Sequence, residues 1–281
     1  MDIFVQAIVM GLVQGLTEFL PVSSSGHLII VPALLGWDSP FIDSLAFSVM
    51  LHLATLLALL LFFRTDWLRL IPAWFASLRD RSIGGDPDRK LAWLLFLSTI
   101  PAVIAGLLLN DLIEGAFRSV GLVAVTLVIG AAILWLAERV GSRTRRMSEL
   151  GVSGAIGIGA AQALALVPGI SRSGISISAG LFAGLDRESA ARFSFLMATP
   201  ITAGAGIFEL RKVIIGEAGV DVAIAPLLAG MASALVAGLL AISFLLRFLR
   251  TNPTTVFIVY RVLLAAVVVV AWLGLWDRQG A

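Results

Sequence analysis

The chain has 281 residues, 59% of them hydrophobic and 14% charged, with a mean hydropathy of +1.01. A water-soluble globule is excluded, because its surface would need far more polar side chains than this composition supplies. The net charge of +2 and the pI near 9.6 come from arginines in loops, so they read as a membrane-orientation signal and no nucleic-acid partner is expected; the lack of cysteine excludes thiol chemistry.

Several apolar runs approach or exceed the 18 or so residues that cross a bilayer as helix, and none shows the ten-residue alternation of a membrane barrel. The expected class is an all-α integral membrane protein. The start, MDIFVQ, has an acidic residue and no basic run, which reads as a retained membrane segment. Residues 3–20 are long enough, at about 1.5 Å per residue, to cross most of the ~30 Å hydrocarbon core, but they end in Gln14, Thr17, Glu18 and Pro21. The next apolar piece, 28–36, covers only about half that thickness. Together they predict a re-entrant helical hairpin whose broken tip, 21–26, sits at membrane depth, where irregular backbone must be buried by protein or face a watery cavity. Spans follow at 45–63, 91–109 and 119–137, separated by a charged loop over 64–90 and a short one near 110–118.

The plan then repeats. QGLTEFLPVSSSGH at 14–27 overlays QALALVPGISRSG at 162–174 without a gap at an offset of 148, pairing Gln14 with Gln162, Ser23 with Ser171, Ser24 with Arg172, Ser25 with Ser173 and Gly26 with Gly174. Residues 152–167 and 175–185 predict a second hairpin, and 193–210, 222–246 and 256–276 three more spans. Repeat one is 1–138 and repeat two 149–281, in a single membrane domain. One hairpin plus three spans makes an odd number of crossings, so the second copy enters from the opposite side, giving an inverted-topology repeat. The loops 64–90, 139–149, 185–192 and 247–250 fall on one side and hold 14 of the 20 Lys and Arg, which makes that side cytoplasmic and puts both termini outside.

The chemistry concentrates at the tips. Gln14 and Glu18 share a helix face, and an ionised carboxylate near mid-bilayer costs roughly 2.5 to 3.5 kcal/mol by insertion scales, so Glu18 needs a partner. Besides a hydrogen-bonded structural carboxylate, the functional reading is that Glu18 and Gln14 hold Mg²⁺ or Ca²⁺ with waters and substrate phosphate, since nothing else nearby in the sequence offsets the burial. Ser23, Ser24 and Ser25, then Gly26 and His27, place hydroxyls, free amides and an imidazole at a buried helix N-terminus, which either merely caps the helix or attracts an anion. Arg172 between Ser171 and Ser173 favours the anion, because an arginine there demands an anionic partner. If the repeats pack about a pseudo-two-fold axis, both tips meet near the midplane and form a phosphate site. A membrane-embedded site suits a lipid phosphate. The Ser-Arg pattern is reminiscent of phosphatidic-acid-type lipid phosphatases, but those need a second histidine after it, and here only His27 and His52 exist. His52 reads as a packing or supporting residue.

QGLTEFLPVSSSGH and LVPGISRSG resemble the two signature stretches of the undecaprenyl-pyrophosphate phosphatase (bacitracin-resistance protein) family, and the resemblance runs over essentially the whole chain. It implies removal of the terminal phosphate of undecaprenyl pyrophosphate in a bacterial plasma membrane, to give the monophosphate carrier of cell-wall synthesis, with a divalent cation. The family's (E/Q)xxxE pair falls on Gln14 and Glu18, its Ser and His on Ser24 and His27, and its PGxSRS on residues 168–173, so that Ser23, Ser25, Gly26, Gly169, Ser171, Ser173 and Gly174 become substrate-binding candidates. Many members have Glu where this chain has Gln14, and Ser25 and Ser176 stand where threonines are common. In the implied reaction Arg172 and the tip amides hold the pyrophosphate. Ser24 attacks with His27 as base, or His27 activates water, or His27 attacks directly. The first hairpin carries the larger polar set and lies on the outer side, so the site is expected to open to a periplasmic face, with a lateral gap for the tail. Membrane lipids and a second copy of the chain complete the expected partners. The rival reading is a secondary transporter or lipid flippase with an anion site at the repeat interface; orthophosphate release separates the two.

Overall fold

The computed structural model describes residues 2–116, 120–214 and 223–279. In chain order these form α1 (Ile3–Phe19), α2 (Ser24–Leu35), α3 (Leu45–Phe62), α4 (Arg64–Asp80), α5 (Pro87–Ala116), α6 (Val120–Val140), α7 (Val152–Gln162), α8 (Arg172–Phe182), α9 (Arg187–Ile214), α10 (Ile224–Phe248) and α11 (Thr255–Gln279), with short 3-10 turns at Met147–Glu149 and Ala163–Leu166. Among the described residues five helices, α3, α5, α6, α10 and α11, are long and apolar enough to cross a bilayer. The chain is a multi-pass, all-α membrane protein. The sixth expected span lies within α9, whose 28 residues have the length to cross.

Three sequence expectations need correction. Residues 64–90 are not a loop: α4 occupies 64–80, because Trp67, Leu70, Ile71, Trp74, Phe75 and Leu78 recur at helical spacing while Asp66 and Arg69 take the other face. The charges there hid an amphipathic helix. The short loop near 110–118 is helical to Ala116 as the end of α5, and 117–119 lie outside the described residues. The arm expected over 152–167 ends as α-helix at Gln162 and tightens into the 3-10 turn before the tip.

The four basic loops are tied to one another at one end of the bundle. Asp66 pairs with Arg192 at 2.7 Å, Glu188 with Arg250 at 2.7 Å and Glu138 with Arg187, while Lys90 Nζ donates to Ser148 O at 3.1 Å. At least one of these contacts joins each of the four segments to another.

Some of the helix contacts interchange when the two halves are exchanged, and others, such as those of α8 with α9 and with α6, have no such counterpart among the stronger contacts. Exchanging α1 with α7, α3 with α9, α5 with α10 and α6 with α11 turns the contact of α1 with α10 into that of α7 with α5, and the contact of α3 with α10 into that of α9 with α5; the α3–α9 and α6–α11 contacts map onto themselves. The α1–α10 contact is backbone-close because it is glycine-lined: a Cβ at Gly11 would meet Gly230 O at 2.1 Å, and one at Gly15 would meet Ala234 O at 2.4 Å. Without a hydrophobic drive between helices in lipid, such small-residue seams supply the van der Waals contact that holds them.

Candidate active site

The two hairpin tips have the same local build. Ser23 (φ 75°, ψ 91°) and Ser171 (φ 73°, ψ 113°) precede α2 and α8 in a left-handed conformation. Each hydroxyl accepts from the amide three residues on, Gly26 N at 3.4 Å and Gly174 N at 3.1 Å. Each also lies against the next-but-one serine, Ser25 at 3.3 Å and Ser173 at 3.2 Å. A side chain in that region costs about 1 to 2 kcal/mol that glycine would avoid, but glycine would bring no capping oxygen. Gly169 (φ 94°) turns the second tip, and nothing larger fits: its Cβ would meet Thr126 Oγ1 at 1.9 Å, the hydroxyl that donates to Pro168 O at 2.6 Å.

The tips meet through Glu18. Arg172 Nη2 donates to Glu18 Oε1 at 2.6 Å, and Ser24 Oγ and Gln14 Nε2 donate to Oε2 at 2.5 and 3.1 Å. Arg172 Nη1 reaches Thr202 Oγ1 at 2.5 Å and Ala198 O at 3.3 Å, and Ser173 Oγ donates to Leu20 O at 2.9 Å across the repeats. Glu18 and Arg172 have side chains only 7% and 19% exposed, so each neutralises a charge that would otherwise be buried alone. The anionic partner that Arg172 demanded is therefore in the chain itself. Glu18 likewise has a protein partner, 154 residues away in the sequence, so its burial alone does not call for a cation.

Beside this pair lies a cavity of about 350 Å³. Glu18, Ser24, Ser25, Ser171, Arg172 and Thr202 make its polar side; Val49, Leu166, Ile201 and Ala205 make an apolar one. His52 also lines it, with Nδ1 on Ser48 O at 2.8 Å and Nε2 3.9 Å from Glu18 Oε2, a place that fits the supporting role the sequence offered beside packing. A second cavity of about 410 Å³ adjoins through Ser25 and His52 and runs past Ser48 to Ser44 and Asp43 in the loop after α2.

Gln14, Ser23, Gly26, His27, Gly169, Ser173 and Gly174 lie behind the cavity wall. His27 is 4% exposed, with Nδ1 on Ser23 O at 2.7 Å and Nε2 on Tyr260 OH at 2.7 Å, its ring stacked on that tyrosine. Both ring nitrogens are engaged there, and the hydrogen-bond acceptor of Ser24 is Glu18. Sequence reading missed Thr202, Tyr260 and Arg261, single residues in apolar helices outside both motifs; the one available signal was a polar or charged side chain at membrane depth.

The bacitracin resistance protein BacA family model matches residues 7–267. The chain belongs to the BacA family. Its relatives include undecaprenyl-diphosphatases of Thermomicrobium roseum, 46% identical over 270 residues covering 93% of this chain and 95% of the relative, and of Gemmatimonas aurantiaca, 48% identical over 263 residues covering 94% and 96%. That of Moorella thermoacetica is 44% identical over 269 residues, covering 95% and 98%.

In this BacA-family chain a cation would find a limited donor set. Both Glu18 oxygens already accept hydrogen bonds, and among the described residues no group of three or more His, Cys, Asp and Glu comes together. The Gln14 Oε1 atom, however, is buried without a hydrogen-bond partner on the amide that touches Glu18. A carboxylate and one amide oxygen suit an ion such as Mg²⁺ that keeps waters and takes its other ligands from phosphate.

Proposed function

We propose that this chain is a membrane phosphatase that hydrolyses undecaprenyl pyrophosphate to undecaprenyl phosphate and orthophosphate. The observation that carries the reading is the chain of contacts Ser24–Glu18–Arg172, which joins a hydroxyl, a carboxylate and a guanidinium across two helix N-termini at a cavity with one polar and one apolar side. The polar side suits a pyrophosphate, and the apolar side the first units of a prenyl chain.

Arg172 turns from Glu18 onto the pyrophosphate, and the first-turn amides of α2 and α8 add donors at the positive helix ends. Glu18, relieved of its partner, takes the Ser24 proton as Oγ attacks the terminal phosphorus and the bond to the bridging oxygen breaks. Lipid monophosphate leaves. Water then attacks the phosphoserine, Ser24 recovers its proton from Glu18, and orthophosphate departs. His27 holds the first turn of α2 through Ser23 O and leans on Tyr260. Gln14 and Glu18 would hold a divalent cation that arrives with the pyrophosphate; bound there, it would offset phosphate charge. The adjoining cavity toward Asp43 is the water path, and by the arginine distribution it opens on the periplasmic face of an inner membrane, in the inverted-repeat arrangement.

The test is orthophosphate release by the purified chain in detergent from undecaprenyl pyrophosphate, with and without chelator. Flux of the lipid across vesicles without release would instead support a carrier, a reading that the exchange-symmetric helix contacts favour.

A further inference from the structure

Arg261 is fully buried in α11, about 9 Å along the helix from its start at Thr255. Its guanidinium donates to main-chain carbonyls of other elements. Nε donates to Leu127 O of α6 at 3.1 Å, Nη1 to Pro21 O of the first tip at 3.5 Å, and Nη2 to Gly169 O and Ile170 O of the second tip at 2.8 and 3.0 Å. The tips are where the helical ladder is broken at membrane depth, so their carbonyls need donors from elsewhere.

Room for the guanidinium is built in. A Cβ on Gly130 of α6 would meet Nη2 at 2.0 Å, and one on Gly174 of α8 would meet Nη1 at 2.9 Å. Only a planar fork of five donors can bridge α6 and both tips at once; an ammonium on a flexible stem reaches one of them. The preceding residue, Tyr260, holds His27 from the same turn of α11.

We infer that Arg261 is a positioning residue, which holds the two tips in the register that brings Glu18 of one against Arg172 of the other. It touches neither the cavity nor the reacting atoms and acts through the backbone of Pro21, Gly169 and Ile170. The second repeat's last helix therefore fixes both halves of the site. This rests on the hydrolytic reading above, because its readout is turnover.

The experiment compares orthophosphate release and thermal melting of the full chain in detergent for wild type, Arg261→Lys, Arg172→Lys and the double variant. Arg261→Lys should melt within a few degrees of wild type yet lose kcat by about 100-fold, with KM changed by less than about threefold. Adding Arg172→Lys to it should cost less than about threefold more, because the fork is already out of register; a merely structural arginine would give additive losses that follow the folded fraction. If Arg261→Lys fails to fold, Gly130→Ala decides: it leaves Arg261 in place, displaces its guanidinium and should reproduce the same kcat loss and the same non-additivity. Turnover within about threefold of wild type in a folded Arg261→Lys or Gly130→Ala, or additive losses in the double variant, overturns the inference. A wild-type chain that releases no orthophosphate overturns the hydrolytic reading instead, and the inference falls with it.

Discussion

Arg172→Lys tests the proposed clamp without unbalancing the site. The guanidinium spans Glu18 Oε1 at 2.6 Å with one nitrogen and Thr202 Oγ1 and Ala198 O at 2.5 and 3.3 Å with another. A lysine ammonium can keep the ion pair with Glu18 but cannot also hold the contacts to α9, each a charge-assisted bond of about 1.5 to 3 kcal/mol. Removing one preorganised donor to a developing oxyanion costs about 2.7 to 4 kcal/mol, or roughly 100- to 1,000-fold in kcat. That is the expected loss, with a modest fall in melting temperature because Glu18 keeps a counter-charge. Arg172→Ala is the poorer test, since leaving Glu18 buried and unpaired costs about 3 to 5 kcal/mol and confounds chemistry with folding. Orthophosphate release at saturating undecaprenyl pyrophosphate is the assay, read beside a melting curve. A folded Arg172→Lys variant with kcat within about threefold of wild type would refute the clamp.

Glu18→Gln is expected to abolish turnover together with any divalent-metal dependence, whereas Gln14→Glu should keep activity and bind the cation more tightly; an unchanged metal titration for Glu18→Gln would sink the cation proposal. Tyr260→Phe removes one neutral hydrogen bond to His27, worth about 0.5 to 1.5 kcal/mol, so activity should fall less than about tenfold, and a loss of about 100-fold or more would mean that His27 acts on the substrate. A membrane-impermeant thiol reagent should label Ser25→Cys and Asp43→Cys in intact cells, because these positions line the adjoining cavity, whereas cysteines at Ser23 and Ser173, only 1% and 4% exposed, would not report. Labelling confined to inverted vesicles would place the opening on the cytoplasmic side.

Much of this architecture was readable from patterns with a physical cause. A broken apolar run ending in Pro21 cannot be a plain span, and the same break 148 residues on gave the duplication, so both hairpins and their tip residues could be located. What was not readable depended on long-range partners or on composition that imitates another element. Glu18 and Arg172 were each singled out and placed at tips expected to meet, but as ligands for a cation and a phosphate, because the repeat pattern says that the tips approach and not which side chains pair. His27 drew attention by standing next to the cap; the fold turns it the other way, onto Tyr260. The charges of α4 read as a loop because an amphipathic helix keeps a polar face that an all-apolar span does not.

The alignment of the two tips also explains why the site needs them to differ. Ser24 occupies the place of Arg172, and Glu18 the place of Leu166, at the same offset that pairs Ser23 with Ser171. Two identical tips brought together would set like against like: two carboxylates with no counter-charge, or two guanidiniums, at a depth where an unpaired ion costs roughly 2.5 to 3.5 kcal/mol even by insertion scales. Divergence at those two positions turns that repulsion into a pair at 2.6 Å while the shared serines keep the helix starts alike. The carboxylate and the guanidinium then come from different tips, so the proposed chemistry exists only when both hairpins are docked. A chain with a misfolded second repeat should lose the site entirely, even with Ser24 and Glu18 intact.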